Sequence, residues 1–225
     1  MTSVFEHALG PDFARLHPML QRRFALHSGQ GVACLGRGVM SEVRRGPWWT
    51  VPFLLLGTWR HILFPDSARD VPFLIENYAY VDSHGRETVT FVRTFELSPS
   101  KRRRFDATMV FDPQRRQVVD YLGTHQHLAV DLVAEVAEDG ALLLRSGEQR
   151  FREGPVDFRF PLALSGTAEL REGYDDASER FTIDVQVRNR WLGPLFSYRG
   201  TFTCSWPAVS AVPRSVRPLR EEPRS

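Results

Sequence analysis

The chain has 225 residues, 42% of them hydrophobic and 25% charged, with a formal net charge of +2. That composition is ordinarily globular and excludes wholesale disorder, while the charge is too mild to argue for nucleic acid. Two cysteines, Cys34 and Cys204, exclude a disulfide scaffold and a thiolate metal site.

Met1 is not followed by a basic n-region and an apolar h-region, so a secretory leader is not expected. The most apolar stretch, Trp48–Trp59, falls well short of the roughly 20 residues that span a bilayer. The expectation is a cytoplasmic protein.

In chain order, Phe13, Leu16, Leu20 and Phe24 recur at three- and four-residue steps and predict a helix over Pro11–His27. Pro18 should kink or restart it, and Ser28-Gly29 should end it. A first strand is expected over Val32–Arg45. Pro47–Phe64 is apolar nearly all round, which predicts one or two short helices. Strands are then expected at Pro72–Asp82, Glu87–Leu97, Arg104–Asp112, Gln117–Leu122, Gln126–Val136, Ala141–Phe151, Val156–Arg171, Glu179–Arg190 and Phe196–Ser205. The period-two signal is clearest where Phe158, Phe160, Leu162, Leu164, Ala168 and Leu170 alternate with polar residues. Turn chemistry separates the runs, as in Asp82-Ser83-His84-Gly85 and Glu138-Asp139-Gly140. From Pro207 the chain is rich in proline and arginine and has no apolar periodicity. Residues 1–206 therefore read as a single β-rich domain and 207–225 as a disordered tail.

About ten strands joined by hairpin-length turns, with a helical insert after the first, predict a mainly β protein. The expected fold is an antiparallel calycin-like barrel with an N-terminal helix and a helical cap between the first two strands. The alternative is a helix-grip START-like α+β fold. That fold normally closes with a long C-terminal helix, which the proline-rich tail cannot supply.

Four runs carry a family resemblance: Asp120-Tyr121-Leu122-Gly123-Thr124-His125-Gln126-His127-Leu128, Arg104-Phe105-Asp106-Ala107, Arg145-Ser146-Gly147-Glu148-Gln149-Arg150-Phe151 and Gly193-Pro194-Leu195-Phe196-Ser197-Tyr198-Arg199-Gly200. They resemble a bacterial family known only as domain of unknown function 4166, and the likeness covers roughly Pro11 to Phe202. Members of that family look like stand-alone proteins or modules attached to other domains, including predicted dehydrogenases. This chain lacks the Gly-rich strand-to-helix turn of a dinucleotide site. The resemblance implies kinship over the whole domain and brings no established activity, cofactor or catalytic residue.

Among residues that could carry chemistry, Arg93 shares the parity of Val89, Phe91, Phe95 and Leu97. If that parity faces the barrel interior, so does a guanidinium. A buried unpaired charge costs several kcal/mol, so it must meet a carboxylate, water or a ligand anion. Arg93 is therefore either a clamp for an acidic head group, a structural ion pair with Glu148, or a side chain at the rim. Asn77, between Ile75 and Ala79, and Glu148, on the parity of Leu142 and Leu144, also interrupt apolar faces; the alternative for both is rim exposure at a strand end, which is favoured for Glu148 because Arg145–Arg150 is polar enough to be leaving the core. With Arg93 and Tyr121 they form a sparse polar set of the kind that orients a small molecule in an apolar cavity.

His125 and His127 project from one face two residues apart. A lone His-x-His lacks the third and fourth ligands that a metal needs, so no metal is expected. The odd parity of Val119 and Tyr121 and the even parity of Leu128, Val130 and Leu132 require a bulge or turn near Gly123-Thr124. A neutral histidine there suits acid–base work or a ligand hydrogen bond; the alternative is that Gly123 simply makes a corner and the imidazoles bond to backbone. Trp48, Trp49 and Phe53 belong to a segment that reads as a buried core helix, as a lid hinged at Gly57, or as a point of shallow, peripheral membrane contact.

The leading expectation is a binding protein for a hydrophobic small molecule or lipid with a polar or acidic head. A rival is a cofactor-independent enzyme (isomerase, cyclase or hydrolase) using His125 or His127. A third is a protein-interaction module, which predicts a filled barrel. No cofactor and no nucleic-acid partner are expected.

Overall fold

The computed structural model describes residues 1–160 and 166–224, with the side chains of Phe53 and Leu56 outside that description. Among the described residues there are eleven strands: β1 (Ala33–Arg45), β2 (Ala68–Val81), β3 (Glu87–Ser98), β4 (Lys101–Asp112), β5 (Gln117–Leu122), β6 (Leu128–Val136), β7 (Leu142–Glu153), β8 (Val156–Arg159), β9 (Thr167–Asp175), β10 (Arg180–Asn189) and β11 (Gly193–Ser205). Ten of them run β6-β5-β4-β3-β2-β1-β11-β10-β9-β7, and β6 pairs with β7 to close the ring. Every pairing is antiparallel. The protein is thus a closed ten-stranded antiparallel barrel, consistent with a calycin-like fold. Closure leaves no unpaired edge within the ring.

β8 is the supernumerary strand. It hairpins onto the C-terminal half of β7, from Arg150 to Glu153, while β9 takes the N-terminal half, from Leu142 to Arg145. The single long strand expected over Val156–Arg171 is therefore two separate strands. Leu162 and Leu164, part of the period-two run, lie outside the described residues.

The two ends of the barrel differ. One is plugged by α1 (Val4–Leu9) and α2 (Pro18–Phe24), joined by a 3-10 turn over Gly10–Arg15. The single helix expected over Pro11–His27 is not formed. The chain turns at Gly10, φ +53°, and Pro18 starts a new helix as its first residue. The α1 start comes from a capping box: Ser3 Oγ accepts from the Glu6 amide at 3.1 Å, and Glu6 Oε2 accepts from the Ser3 amide at 2.7 Å. Phe5 enters the barrel mouth between Phe24 and Phe91, ring centroids 4.7 and 6.0 Å away.

Strand direction puts the connections after β1, β3, β5, β7 and β10 at the opposite end. The helical cap sits there, between the first two strands as expected: a 3-10 turn over Trp48–Thr50 leads into α3 (Val51–Trp59). Leu54, Leu63 and Phe64 seat it on the core. From Phe64, ring contacts of 4.7–5.2 Å run to Phe95 and Phe196. Phe73, Tyr198, Phe202 and Phe181 continue this aromatic packing through one side of the interior. The other side is looser, and the cavity lies there.

The segment after Pro207, expected to be disordered, packs as an irregular strap along the outside of the barrel. Ala33 donates its amide to Pro207 O at 3.0 Å and Leu219 donates to Thr124 O at 2.7 Å. Val216 fills a patch with Ala33, Tyr78 and Val92. Glu222 is fully buried, donating its amide to Gln126 and accepting from Arg86 at its carbonyl, both at 2.7 Å. Backbone hydrogen bonds and ion pairs anchor this strap, which is why apolar periodicity does not reveal it.

Candidate functional site

Two polar layers interrupt the apolar interior. The layer nearer the plugged end is held by a buried ion pair, with Arg23 Nη2 left without a hydrogen-bond partner among the described residues. Arg23 of α2 lies at 1% side-chain exposure, its Nε donating to Glu172 of β9 at 2.5 Å. Its Nη1 reaches Asn77 Oδ1 at 2.8 Å and both thiols, Cys34 at 3.1 Å and Cys204 at 3.5 Å. The neighbouring Glu172 charge holds Arg23 protonated against the cost of burial, and burial raises Glu172 above the usual carboxylate range. Asn77 also donates to Thr90 O at 3.0 Å. It is inside the barrel, as its parity predicted, with both ends of its amide engaged.

The second layer is not satisfied. Arg93 from β3, Asp120 from β5 and Tyr198 from β11 line one cavity of about 180 Å³ whose other walls are almost wholly apolar, among them Met109, Leu128, Val130, Leu144, Val185 and Leu195. Arg93 is 4% exposed, and its Nε and Nη1 have no hydrogen-bond partner. Asp120 Oδ1 and the Tyr198 hydroxyl likewise have none. The guanidinium is held face-on over Phe105 and Phe91, at 4.8 and 5.5 Å. Burial pushes the Asp120 carboxyl up to about 7, with the Arg93 charge opposing, and burial also raises the Tyr198 phenol. Buried polar groups are ordinarily paired, so three unpaired ones in one apolar chamber mark a place where a polar ligand atom would be stabilised.

A second space, about 380 Å³, adjoins the cavity on the α3 side and shares Ile62, Leu63, Leu122, Leu128 and Phe160 with it. His125 and His127 line this outer chamber. Their rings stack at 5.4 Å. Arg60 Nη1 lies 3.2 Å from His127 Nε2, and Glu153 lies 2.6 Å from its Nδ1. Burial and then the Arg60 charge keep His125 below the usual imidazole value. The register break expected near Gly123-Thr124 is the β5–β6 turn, with Gly123 at φ +75°. A Cβ on Gly123 would lie 2.3 Å from Arg60 O, so this glycine lets the turn dock on the end of α3.

Residues 16–202 match the family model described as domain of unknown function DUF4166. The chain belongs to the DUF4166 family. It is also 33% identical over 202 residues to the uncharacterised protein YndH of Bacillus subtilis strain 168, covering 90% of this chain and 97% of that one. The matched span of the DUF4166 chain reaches from before β1 into β11 and so contains Arg93, Asp120, Tyr198 and both histidines.

The remaining sequence-predicted residues of this DUF4166 barrel lie elsewhere. Glu148 pairs with Arg150 at 2.8 Å and Arg159 at 3.1 Å, not with Arg93. A bulge in β7 opposite Val130–Leu132 shifts the inward parity from Ser146 to Gln149, so Gln149 lines the cavity instead. Tyr121 faces outward beneath the C-terminal strap, donating to Arg224 O at 2.6 Å. Trp48 and Trp49 are 75% and 52% exposed and lie outside both chambers. The Phe53 side chain lies outside the description. Among the described residues, no cluster of three or more His, Cys, Asp or Glu side chains is placed to hold a metal.

Asp120 and Tyr198 were missed. Asp120 alternates with Val118 and Leu122, the parity that faces inward, but β5 is buried on both faces: Val119 and Tyr121 pack with Val110 and Ala129 on the other side, and Arg224 O accepts from the Tyr121 hydroxyl. Double burial erased the period-two signal that would have singled out an inward carboxylate.

Proposed function

We propose that the barrel binds a hydrophobic small molecule or lipid whose acidic or polar head sits among Arg93, Asp120 and Tyr198. The observation that carries this reading is the pair of unpartnered Arg93 nitrogens in an apolar chamber. A carboxylate or other small oxyanion would accept from them, with the phenol of Tyr198 as a second donor. Asp120, with its carboxyl pushed to about 7, can stay protonated beside such an anion and donate to it. The apolar part of the ligand would extend past Leu122 and Leu128 into the outer chamber, beneath α3. Each buried CH₂ contributes about 0.8 kcal/mol, so a chain of ordinary length suffices for micromolar affinity. Two free thiols beside Arg23 fit the reducing cytoplasm.

The test is native mass spectrometry of the protein purified from a bacterial host, with solvent extraction, alongside titration with cis-parinaric acid. The reading expects a small apolar acid in the extract or saturable probe binding that Arg93→Met weakens about tenfold or more. Probe binding unchanged in Arg93→Met would sink it.

A second reading is a cofactor-independent enzyme. It is supported by Asp120, whose value near neutrality inside an apolar chamber suits proton transfer. Under this reading Asp120→Asn leaves ligand retention intact and abolishes turnover. The histidines of the outer chamber are less suited to it, since Arg60 and Glu153 already engage His127. The protein-interaction reading needs no cavity, so the chamber favours the other two.

A further inference from the structure

The end of the barrel that carries α3 exposes an unusual amount of aromatic surface. Trp48, Trp59 and Trp191 are 75%, 79% and 71% exposed, with Trp49, Leu55 and Leu192 also largely in solvent. All six lie in the β1–β2 and β10–β11 connections, which strand direction places at the same end. The two connections touch: the Gly46 amide donates to Leu195 O at 2.7 Å, and a Cβ on Gly46 would meet Pro194 O. From Trp48 to Trp59 no charged side chain is present, so α3 has no hydrophilic face to turn to water. Helices that are apolar all round are normally buried on every side, and contiguous patches of this kind mark an interaction surface.

The rim of this patch is basic. Lys101 and Arg103 are held by Asp66 at 2.5 and 2.7 Å, leaving that carboxylate neutralised. Arg45, Arg188 and Arg190 are exposed beside the aromatic connections and form no ion pair among the described residues. Tryptophans ringed by arginines match the chemistry of a bilayer interface, where indoles settle at headgroup level and cations meet anionic lipid. A second copy of this chain would present the same arginines and meet like-charge repulsion.

We infer that the α3 end docks on anionic phospholipid membrane. The assignment rests on the surface alone and stands whether or not the cavity holds a ligand.

Four of the five tryptophans lie in this patch, and the fifth, Trp206, sits under Arg22 at 3.9 Å. In a Trp206→Phe background, intrinsic fluorescence therefore reports on the docking end. The probe is vesicles of phosphatidylglycerol and phosphatidylcholine, with pure phosphatidylcholine as the comparison. Expected on the mixed vesicles at low salt are co-sedimentation, a blue shift and quenching by brominated lipid. Binding should weaken roughly tenfold or more in R45E/R188E/R190E and in W59S/W191S, with unchanged thermal melts. The inference is overturned if the mixed vesicles sediment no protein, or if both variants bind as the parent does. It is also overturned if light scattering finds a dimer in free solution that W59S/W191S dissociates, since a second copy would then cover the patch.

Discussion

Arg93 and Asp120 line the same chamber from β3 and β5, one strand apart, without forming an ion pair within 4.0 Å. Opposite charges buried so near each other would normally close into a pair, as Arg23 and Glu172 do at 2.5 Å in the layer behind. One interior thus holds a closed and an open arrangement of the same chemistry. The contrast separates what stabilises the barrel from what waits for a ligand.

Removing the open charge should relieve the fold. Arg93 closes no ion pair among the described residues, so an apolar side chain of similar length at this position removes a buried charge without breaking a salt bridge. Arg93→Met is therefore expected to raise the urea midpoint or leave it unchanged while cis-parinaric acid binding weakens about tenfold or more. A loss of several kcal/mol in unfolding free energy would mean that Arg93 serves the fold.

Breaking the closed pair should do the reverse. Arg23→Ala leaves Glu172 buried and uncompensated, a change that costs about 3–5 kcal/mol. Denaturant unfolding checks this. A loss below about 1 kcal/mol would contradict the structural role assigned to the pair.

Asp120 predicts a particular pH dependence. Its carboxyl is raised to about 7 in the folded barrel, so across roughly pH 4–7 the folded state keeps a proton that the unfolded chain releases. The stability it contributes is complete below the unfolded value and is lost as pH rises through the folded one. At about 1.4 kcal/mol per pH unit the decline is roughly 4 kcal/mol, and it should vanish in Asp120→Asn. The measurement is unfolding free energy of both proteins at half-unit pH steps. A difference between them that stays flat across this window would refute the assignment.

The C-terminal strap should resist protease. The bonds after Arg214, Arg220 and Arg224 would be cut first by trypsin if residues 207–224 were loose. Burial of Glu222 and the Leu219 and Tyr121 hydrogen bonds instead predict that the strap survives as long as the barrel. Early loss of the tail, with the core intact, would show that the strap detaches. Truncation before Pro207 should expose Tyr121 and lower the melting temperature.

The sequence by itself determined the barrel, because alternating strands and hairpin turns are local signals that each few residues carry. It also put Arg93 inward, since Phe91 and Phe95 flank it with the same parity, and Asn77 inward beside Ile75. It determined the helical cap, whose uniformly apolar run cannot be a half-wet strand. Only the tertiary structure decided which carboxylate faces Arg93. Glu148 was moved outward by a bulge, and Asp120 was hidden in a strand whose outer face is buried as well. Only it could show that the tail packs, because that segment is held by backbone hydrogen bonds and buried charge without a hydrophobic period. The physical reason is common to all three. A period of two reports one wet face and one dry one, and it falls silent wherever a bulge shifts the register, a second layer dries the outer face, or polar contacts do the holding.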